Sequence, residues 1–223
     1  MRASVHLPPY ILYGMTRKER YSYILDYFSR CQPDVESELH FANAYQLLVA
    51  TILAAQCTDK RVNMVTPALF EHYPDARALS EAPEEDILAF VKSVSYPNSK
   101  AHHLSEMSKM LVHDFQGQVP ATMEELIKLP GVGRKTANVV LAFAFGQAAM
   151  PVDTHVFRVA HRLGLVSDAP TPEAVERQLV RNIPQKFVSR AHHWLLLHGR
   201  YVCVARKPKC QECPFNTICP SEE

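Results

Sequence analysis

No apolar run in the 223 residues approaches the roughly 18 residues of a membrane-crossing helix, so the composition reads as that of a soluble, intracellular protein. No segment sustains the two-residue alternation of a half-buried strand, which leaves helix as the only regular element to expect. Internal repeats and low-complexity tracts are absent as well. Residues 1–14, read as an N-terminal extension, are too short and too broken by Pro8-Pro9 for a secretory signal. Excess charge is lacking too: the formal net charge is only +1, which alone points to no nucleic-acid partner. The distribution does. No acidic residue lies between Glu176 and Glu212, where Arg177, Arg181, Lys186, Arg190, Arg200, Arg206, Lys207 and Lys209 all fall, and none lies between Glu125 and Asp153, around Lys128, Arg134 and Lys135. Acids gather instead at Glu81 and Glu84-Glu85-Asp86, so one face should attract phosphate and another repel it.

Apolar residues at three- and four-residue spacing, bounded by breakers, predict helices over 17–31, 44–56, 60–72, 84–94, 99–115, 122–129, 135–145, 154–164, 171–182 and 187–199. The most informative junction joins two of them. Thr122-Met-Glu-Glu125 has the form of a capping box opening a short helix, and Leu129-Pro130-Gly131 stops it. After Val132-Gly133, a second helix starts at Arg134-Lys135-Thr136 and should end at Gly146. Gly131 and Gly133 let the backbone approach a ligand closely, and unpaired N–H groups at the second helix start suit phosphate, with Arg134 beside them. The segment reads as a clamp on a DNA backbone. A nucleotide P-loop would need the longer G-x-x-x-x-G-K-[ST] spacing, and a dinucleotide fold would need a preceding strand.

Lys135 stands where a helix terminus disfavours a cation, and free amine is what imine chemistry with a sugar aldehyde requires. Plain phosphate binding is the alternative use of such a lysine. Asp153, in Val152-Asp-Thr-His-Val-Phe-Arg158, is placed to cap a helix whose apolar face is Val156, Val159, Ala160 and Leu163. Capping is a complete structural account of it, while an ionised carboxylate folded back beside the hairpin would share a pocket with the lysine.

Cys203, Cys210, Cys213 and Cys219 have six, two and five residues between them. Four thiols in seventeen residues imply a metal centre, and the spacing alone leaves zinc and an iron–sulfur cluster both open. Disulfides are disfavoured without a secretory signal, and Cys31 and Cys57 read as ordinary buried or half-buried residues. Among the eleven histidines, the adjacent pairs His102-His103 and His192-His193 point in different directions on a helix and are poor chelators, whereas His155 could touch the pocket. Trp194, among leucines, reads as core.

With Leu129-Pro-Gly-Val-Gly-Arg-Lys-Thr-Ala137, Val152-Asp-Thr-His-Val-Phe-Arg158 and the six-two-five cysteine spacing, the chain resembles the endonuclease III family over about residues 15–219. These are helix-hairpin-helix DNA glycosylases and abasic-site lyases carrying a [4Fe–4S] cluster. The resemblance implies an all-α fold in two lobes, a six-helix domain with the hairpin over 36–147 and an iron–sulfur cluster domain of 15–35 with 148–223, the flipped base lying between them. It implies Lys135 as nucleophile, Asp153 as the assisting carboxylate and the four cysteines as cluster ligands. It further implies a double-stranded DNA substrate with damaged pyrimidines or abasic sites, action as a cytoplasmic, nucleoid-associated monomer, and no membrane partner. In Leu47-Leu-Val-Ala-Thr-Ile-Leu-Ala-Ala-Gln-Cys-Thr-Asp59, Gln56 resembles the residue that enters the space vacated by a flipped base. Its bland use is to end an apolar helix.

Two departures stand out. Where the family has a glycine-containing turn, this chain reads Val94-Ser-Tyr-Pro-Asn-Ser-Lys-Ala101, putting Tyr96 where an apolar wedge is expected and a stiffening Pro97 after it. The extension before Met15 is the other. The expected activity is excision of oxidised pyrimidines through a Lys135 Schiff base, then strand cleavage by β-elimination. The competing readings are a pyrimidine-dimer or mismatch-specific glycosylase of the same fold and, from another class, a non-catalytic DNA-binding module with a four-cysteine zinc site. Arg206, Lys207 and Lys209 lie in the loop closed by Cys203 and Cys210, so a bound metal should hold them against the DNA backbone.

Overall fold

The structure, a computed structural model, describes residues 15–35 and 37–221, and the extension expected over 1–14 lies outside them. Every regular element among the described residues is helical. They are α1 (Arg17–Cys31), α2 (Ala44–Ala54), α3 (Asp59–His72), α4 (Ala76–Ser80), α5 (Glu84–Val91), α6 (Pro97–Phe115), α7 (Met123–Leu126), α8 (Arg134–Phe143), α9 (Thr154–Arg162), α10 (Pro172–Asn182) and α11 (Val188–Tyr201). Short 3-10 turns occur at Gln185–Phe187, Cys210–Glu212 and Asn216–Ile218. The chain divides into two compact units: Ser37–Pro151, and Met1–Glu36 with Val152–Glu223.

In the first unit α2 is apolar on every side, as Leu-Leu-Val-Ala-Thr-Ile-Leu requires, and Leu47 to Leu53 are all buried. Such a helix can only be central. Around it pack Val62 and Leu69 of α3, Ile87 and Val91 of α5, Leu104, Met107 and Leu111 of α6, and Ala137, Val140 and Leu141 of α8, all buried. The sequence missed α4, whose five residues are too few to show a period; Asp75 caps it by accepting from the Ala78 N–H at 2.9 Å.

Helix ends differ from expectation for identifiable reasons. α5 stops at Val91, and α6 starts at Pro97 rather than residue 99, because proline at the first helical position forfeits no hydrogen bond. α7 ends at Leu126, and residues 127–129 approach Pro130 through tight turns, with the Leu129 N–H on the Leu126 carbonyl at 3.1 Å. α8 ends at Phe143, and Gly146, at φ 63°, lets the Gln147 N–H return to the Leu141 carbonyl at 2.9 Å. α11 continues through Gly199, where a Cβ would come within 2.8 Å of the His155 Cβ; this glycine serves helix packing rather than a stop.

The second unit is built on aromatics. Trp194 of α11 is fully buried, stacks on Phe28 of α1 with centroids 5.7 Å apart, and donates from Nε1 to the Gln32 carbonyl at 2.8 Å. Phe215, from the cysteine segment, meets Phe28 and Tyr27 edge-on at 5.1 and 5.2 Å. This cluster ties α1, α11 and the cysteine segment into one core, at a typical extra gain of about 0.5–1.5 kcal/mol per aromatic pair. Cys31, expected to be buried or half-buried, is exposed because it ends α1 beyond that core, whereas Cys57 is half-buried.

Candidate active site and cysteine centre

The hairpin of the first unit is a turn made for its residues. The Val132 N–H bonds the Leu129 carbonyl at 3.0 Å, Pro130 takes the second position, and Gly131 the third at φ 78°. That is the proline–glycine signature of a type II turn. A Cβ on Gly131 would also meet His103 Cβ at 2.9 Å, so His103 of α6 is the floor of the turn and not a surface residue's idle neighbour. Gly133 differs. Its φ is −91°, and a Cβ there would meet nothing within 4 Å, so neither strain nor protein packing demands glycine. It is the N-cap of α8 and offers no side-chain cap, so an outside acceptor can approach the start of the helix. Arg134 and Lys135 follow as the first two helical residues, both exposed. On the other side of the hairpin, the Thr122 hydroxyl accepts from the Glu125 N–H at 3.3 Å and donates to its carboxylate at 2.6 Å, which closes the cap of α7 in a variant of the expected form.

Gln56 and Tyr96 lie in the same unit, and both are exposed in the left-handed region, at φ 53° and 55°. Tyr96 is 64% exposed, a large cost for an aromatic ring that its own protein does not cover. The turn before α6 keeps the backbone conformation that favours glycine although the residue is tyrosine, a strain of order 1–3 kcal/mol of the kind found at functional sites.

Asp153 belongs to the second unit and caps α9: its Oδ1 accepts from the His155 and Val156 N–H groups at 2.9 and 2.8 Å. Val156, Val159, Ala160 and Leu163, the expected apolar face, are buried. One oxygen therefore does all the capping, and Oδ2 lies outside the cap. Two arginines one turn apart on α9 have a part that sequence reasoning missed. Arg158 donates from Nε to the Cys203 carbonyl at 3.1 Å and from Nη2 to the Gly199 carbonyl at 2.9 Å. Arg162 donates from Nη1 to the Val204 carbonyl at 2.8 Å and from Nη2 to the Ala205 carbonyl at 3.2 Å. The i, i+4 repeat in Arg158-Val-Ala-His-Arg162 was the available signal, but it looks like any charged helix face until the loop it holds is seen.

That loop carries the cysteines. Cys203, Cys210, Cys213 and Cys219 line one recess with Arg162, Leu163, His198 and Pro208. Burial pushes the Cys213 thiol up to about 11, and its three cysteine neighbours add to the shift. Burial likewise raises Cys219. Thiolates so placed need a cationic centre among them. Arg162 Nη1 is 3.7 Å from Cys203 Sγ, and His198 Nε2 is 3.7 Å from Cys213 Sγ. Burial lowers His198 to about 4, which keeps its imidazole neutral at physiological pH. Arg206 and Lys207 are exposed outside the recess, Lys207 at φ 54°, and Lys209, exposed as well, stands on its lining.

Residues 49–185, most of the chain, match the HhH-GPD superfamily of base excision DNA repair proteins. Endonuclease III of Rickettsia felis is 48% identical over 196 residues, 88% of this chain and 92% of the relative. The chain belongs to the endonuclease III family. Endonuclease III of Escherichia coli is 40% identical over 191 residues, 86% of this chain and 90% of the relative. Among solved structures, an endonuclease III trapped as a covalent intermediate with DNA superposes with a TM-score of 0.86 at 41% identity, covering 92% of this chain and 97% of that one. A thermostable thymine-DNA glycosylase gives 0.81 at 26% identity, covering 92% and 95%. Residues 203–219 match the iron–sulfur binding domain of endonuclease III, which decides between the two centres that the spacing left open: the cofactor is a [4Fe–4S] cluster, not zinc. The recess of four thiols, backed by an arginine and a neutral histidine, suits that group.

Proposed function

We propose that this chain is a bifunctional DNA glycosylase and abasic-site lyase of base excision repair, removing oxidised pyrimidines from double-stranded DNA and acting as a monomer on the nucleoid in the cytoplasm. The observation that carries the reading is Lys135, exposed two residues past an N-cap glycine whose missing side chain the protein itself does not need. A duplex backbone can approach that glycine, which brings a deoxyribose to the amine. The likeness to an endonuclease III trapped in a covalent intermediate with DNA supports covalent chemistry at this site.

Oxidation weakens pairing and stacking, so the damaged nucleotide leaves the helix at reduced cost. The neutral Lys135 amine attacks C1′ as the bond to the base breaks, and the base departs with its bonding electrons and takes up a proton. The Asp153 carboxylate stabilises the positive charge growing on the sugar and accepts the proton that the amine releases. Opening of the ring leaves an imine between Nζ and C1′. The imine acidifies C2′–H; removal of that proton expels the 3′ phosphate, and water then releases the unsaturated aldehyde and the free lysine. Held by Cys203, Cys210, Cys213 and Cys219, a bound cluster would supply a rigid crosslink for the loop of Arg206, Lys207 and Lys209, which makes phosphate contact.

Borohydride should therefore lock the enzyme onto DNA containing an abasic site, and Lys135→Ala should abolish the adduct while binding persists. Undiminished trapping in that variant moves the nucleophile elsewhere. A mismatch-specific glycosylase is the second reading, favoured by the likeness to a thymine-DNA glycosylase and by the aromatic Tyr96. Cleavage of a panel of duplexes carrying oxidised thymine, a thymine dimer or a thymine–guanine mismatch separates the two.

A further inference from the structure

Lys100 is a lysine in the wrong place for a lysine. It is 5% exposed, in the first turn of α6, and burial disfavours its charged form. Its ammonium donates to the Leu53 and Ala55 carbonyls, each at 2.7 Å. Those carbonyls end α2, where the chain leaves the helix at Ala55 (ψ 116°) and the Cys57 N–H turns back to the Ala54 carbonyl at 3.1 Å. Both would otherwise be among the unsatisfied acceptors of a helix terminus, and a cation there also meets the negative end of the helix dipole.

The residue after Ala55 is Gln56, held at φ 53°. On its own helix, the Lys100 N–H bonds the carbonyl of Tyr96, held at φ 55°. One buried residue thus ties together, by its side chain on one side and its backbone N–H on the other, the two left-handed residues to which a role in filling or wedging the duplex is attributed, although they are forty positions apart in the chain. Neither turn uses glycine, so each needs an outside hold to keep a conformation that L side chains rarely adopt.

We propose that Lys100 is a positioning residue for base extrusion: its ammonium, anchored on α6 and clamped to the end of α2, locks the Gln56 and Tyr96 turns into one rigid pair that enters the duplex together. The proposal rests on the reading of Gln56 and Tyr96 as DNA-inserting residues. A plain helix cap would lower stability alone. A coupling residue must also make its effect on excision vanish once the two side chains are gone.

Lys100→Met keeps the apolar stem and removes the donors. Excision of an oxidised thymine from duplex DNA, measured in single turnover, should fall at least about tenfold, the scale of a lost charged hydrogen bond. In the free protein, hydrogen exchange at the amides that close the two turns, Cys57 on the Ala54 carbonyl and residue 100 on the Tyr96 carbonyl, should quicken, while that of α2's central residues does not. The same substitution added to Gln56→Ala with Tyr96→Ala should change excision by less than about twofold, because Lys100 acts only through those side chains. An equal loss in both backgrounds, or unchanged exchange at the two turns, overturns the proposal. If Gln56→Ala with Tyr96→Ala excises at the parental rate, the assignment of those residues to DNA is what fails, and the exchange measurement still decides whether Lys100 holds the turns. Should Lys100→Met not fold, Lys100→Arg, which displaces the donors but keeps the charge, enters the same cycle with the same expected non-additivity.

Discussion

Asp153 is asked to cap a helix and to serve the chemistry, and its two oxygens allow the roles to be separated. Oδ1 alone accepts from the His155 and Val156 N–H groups, at 2.9 and 2.8 Å. The asparagine of an Asp153→Asn variant would present its own Oδ1 to the same two amides and an amide nitrogen in place of Oδ2. Since asparagine caps about as well as aspartate, Asp153→Asn loses only the attraction of a charge to the helix terminus, roughly 0.3–1 kcal/mol. For a chain of this length that is a fall in Tm of at most about 2–4 °C. Asp153→Ala additionally forfeits the cap, a further ~1 kcal/mol, and should melt lower still. Excision should not follow that order. If the ionised carboxylate stabilises the sugar cation and accepts the amine proton, both variants should lose about two to four orders of magnitude in single-turnover base release, to a similar extent, in folded protein. The assay pairs a thermal melt with excision from a duplex bearing one oxidised pyrimidine. Near-normal excision by Asp153→Asn would refute the catalytic role and leave Asp153 a helix cap.

Three further outcomes are expected. Gly133→Ser should leave stability unchanged or raise it by a few tenths of a kcal/mol, since serine is the better N-cap and a Cβ there meets nothing within 4 Å, yet it should weaken binding to undamaged and damaged duplex alike; undiminished affinity in a gel-shift titration would mean that no backbone approaches this glycine. Lys207→Ala with Lys209→Ala should keep the broad visible absorbance of the cluster while the log–log salt dependence of DNA binding falls by up to about 0.9 per lost phosphate contact, and an unchanged slope would sink the phosphate-loop assignment. Tyr45 is buried, donates to the Tyr73 carbonyl at 3.1 Å, and burial raises its phenol well above the ordinary value, aided by Asp75. Its stabilising contribution is thus full below pH ~10 and is lost as pH rises beyond, so the deficit of Tyr45→Phe, ~1 kcal/mol at pH 8, should shrink by up to about 1.4 kcal/mol per pH unit above pH ~10 in urea melts; a constant deficit would contradict the shift.

What was readable from the residues alone is what depends on short-range pattern. Helix at nearly every expected segment follows from apolar periodicity, and the Leu129-Pro-Gly-Val132 turn follows from the fixed φ of proline and the positive φ open to glycine. The apolar face of α9 and its Asp153 cap were legible for the same reason, because a cap and the residues it serves are neighbours in sequence. The cysteine spacing announced a metal centre but not its identity, as zinc and an iron–sulfur cluster accept the same ligands. Short α4 escaped because five residues show no period.

Only the tertiary structure decided which distant groups meet. Lys100 in sequence is one more polar residue at a helix start; its meaning lies in two carbonyls 47 and 45 positions away. Arg158 and Arg162 look like solvated charges until their guanidinium groups are seen holding the backbone from Gly199 to Ala205. The distinction between Gly131, which its turn and His103 both require, and Gly133, which nothing in the protein requires, is likewise invisible in a string where both are the same letter. Local conformation is governed by each residue's own sterics and nearest hydrogen bonds, so sequence suffices for it. Burial of a charge, satisfaction of a carbonyl and the space left for a ligand are properties of the packed chain, and packing brings together residues whose separation no local pattern records.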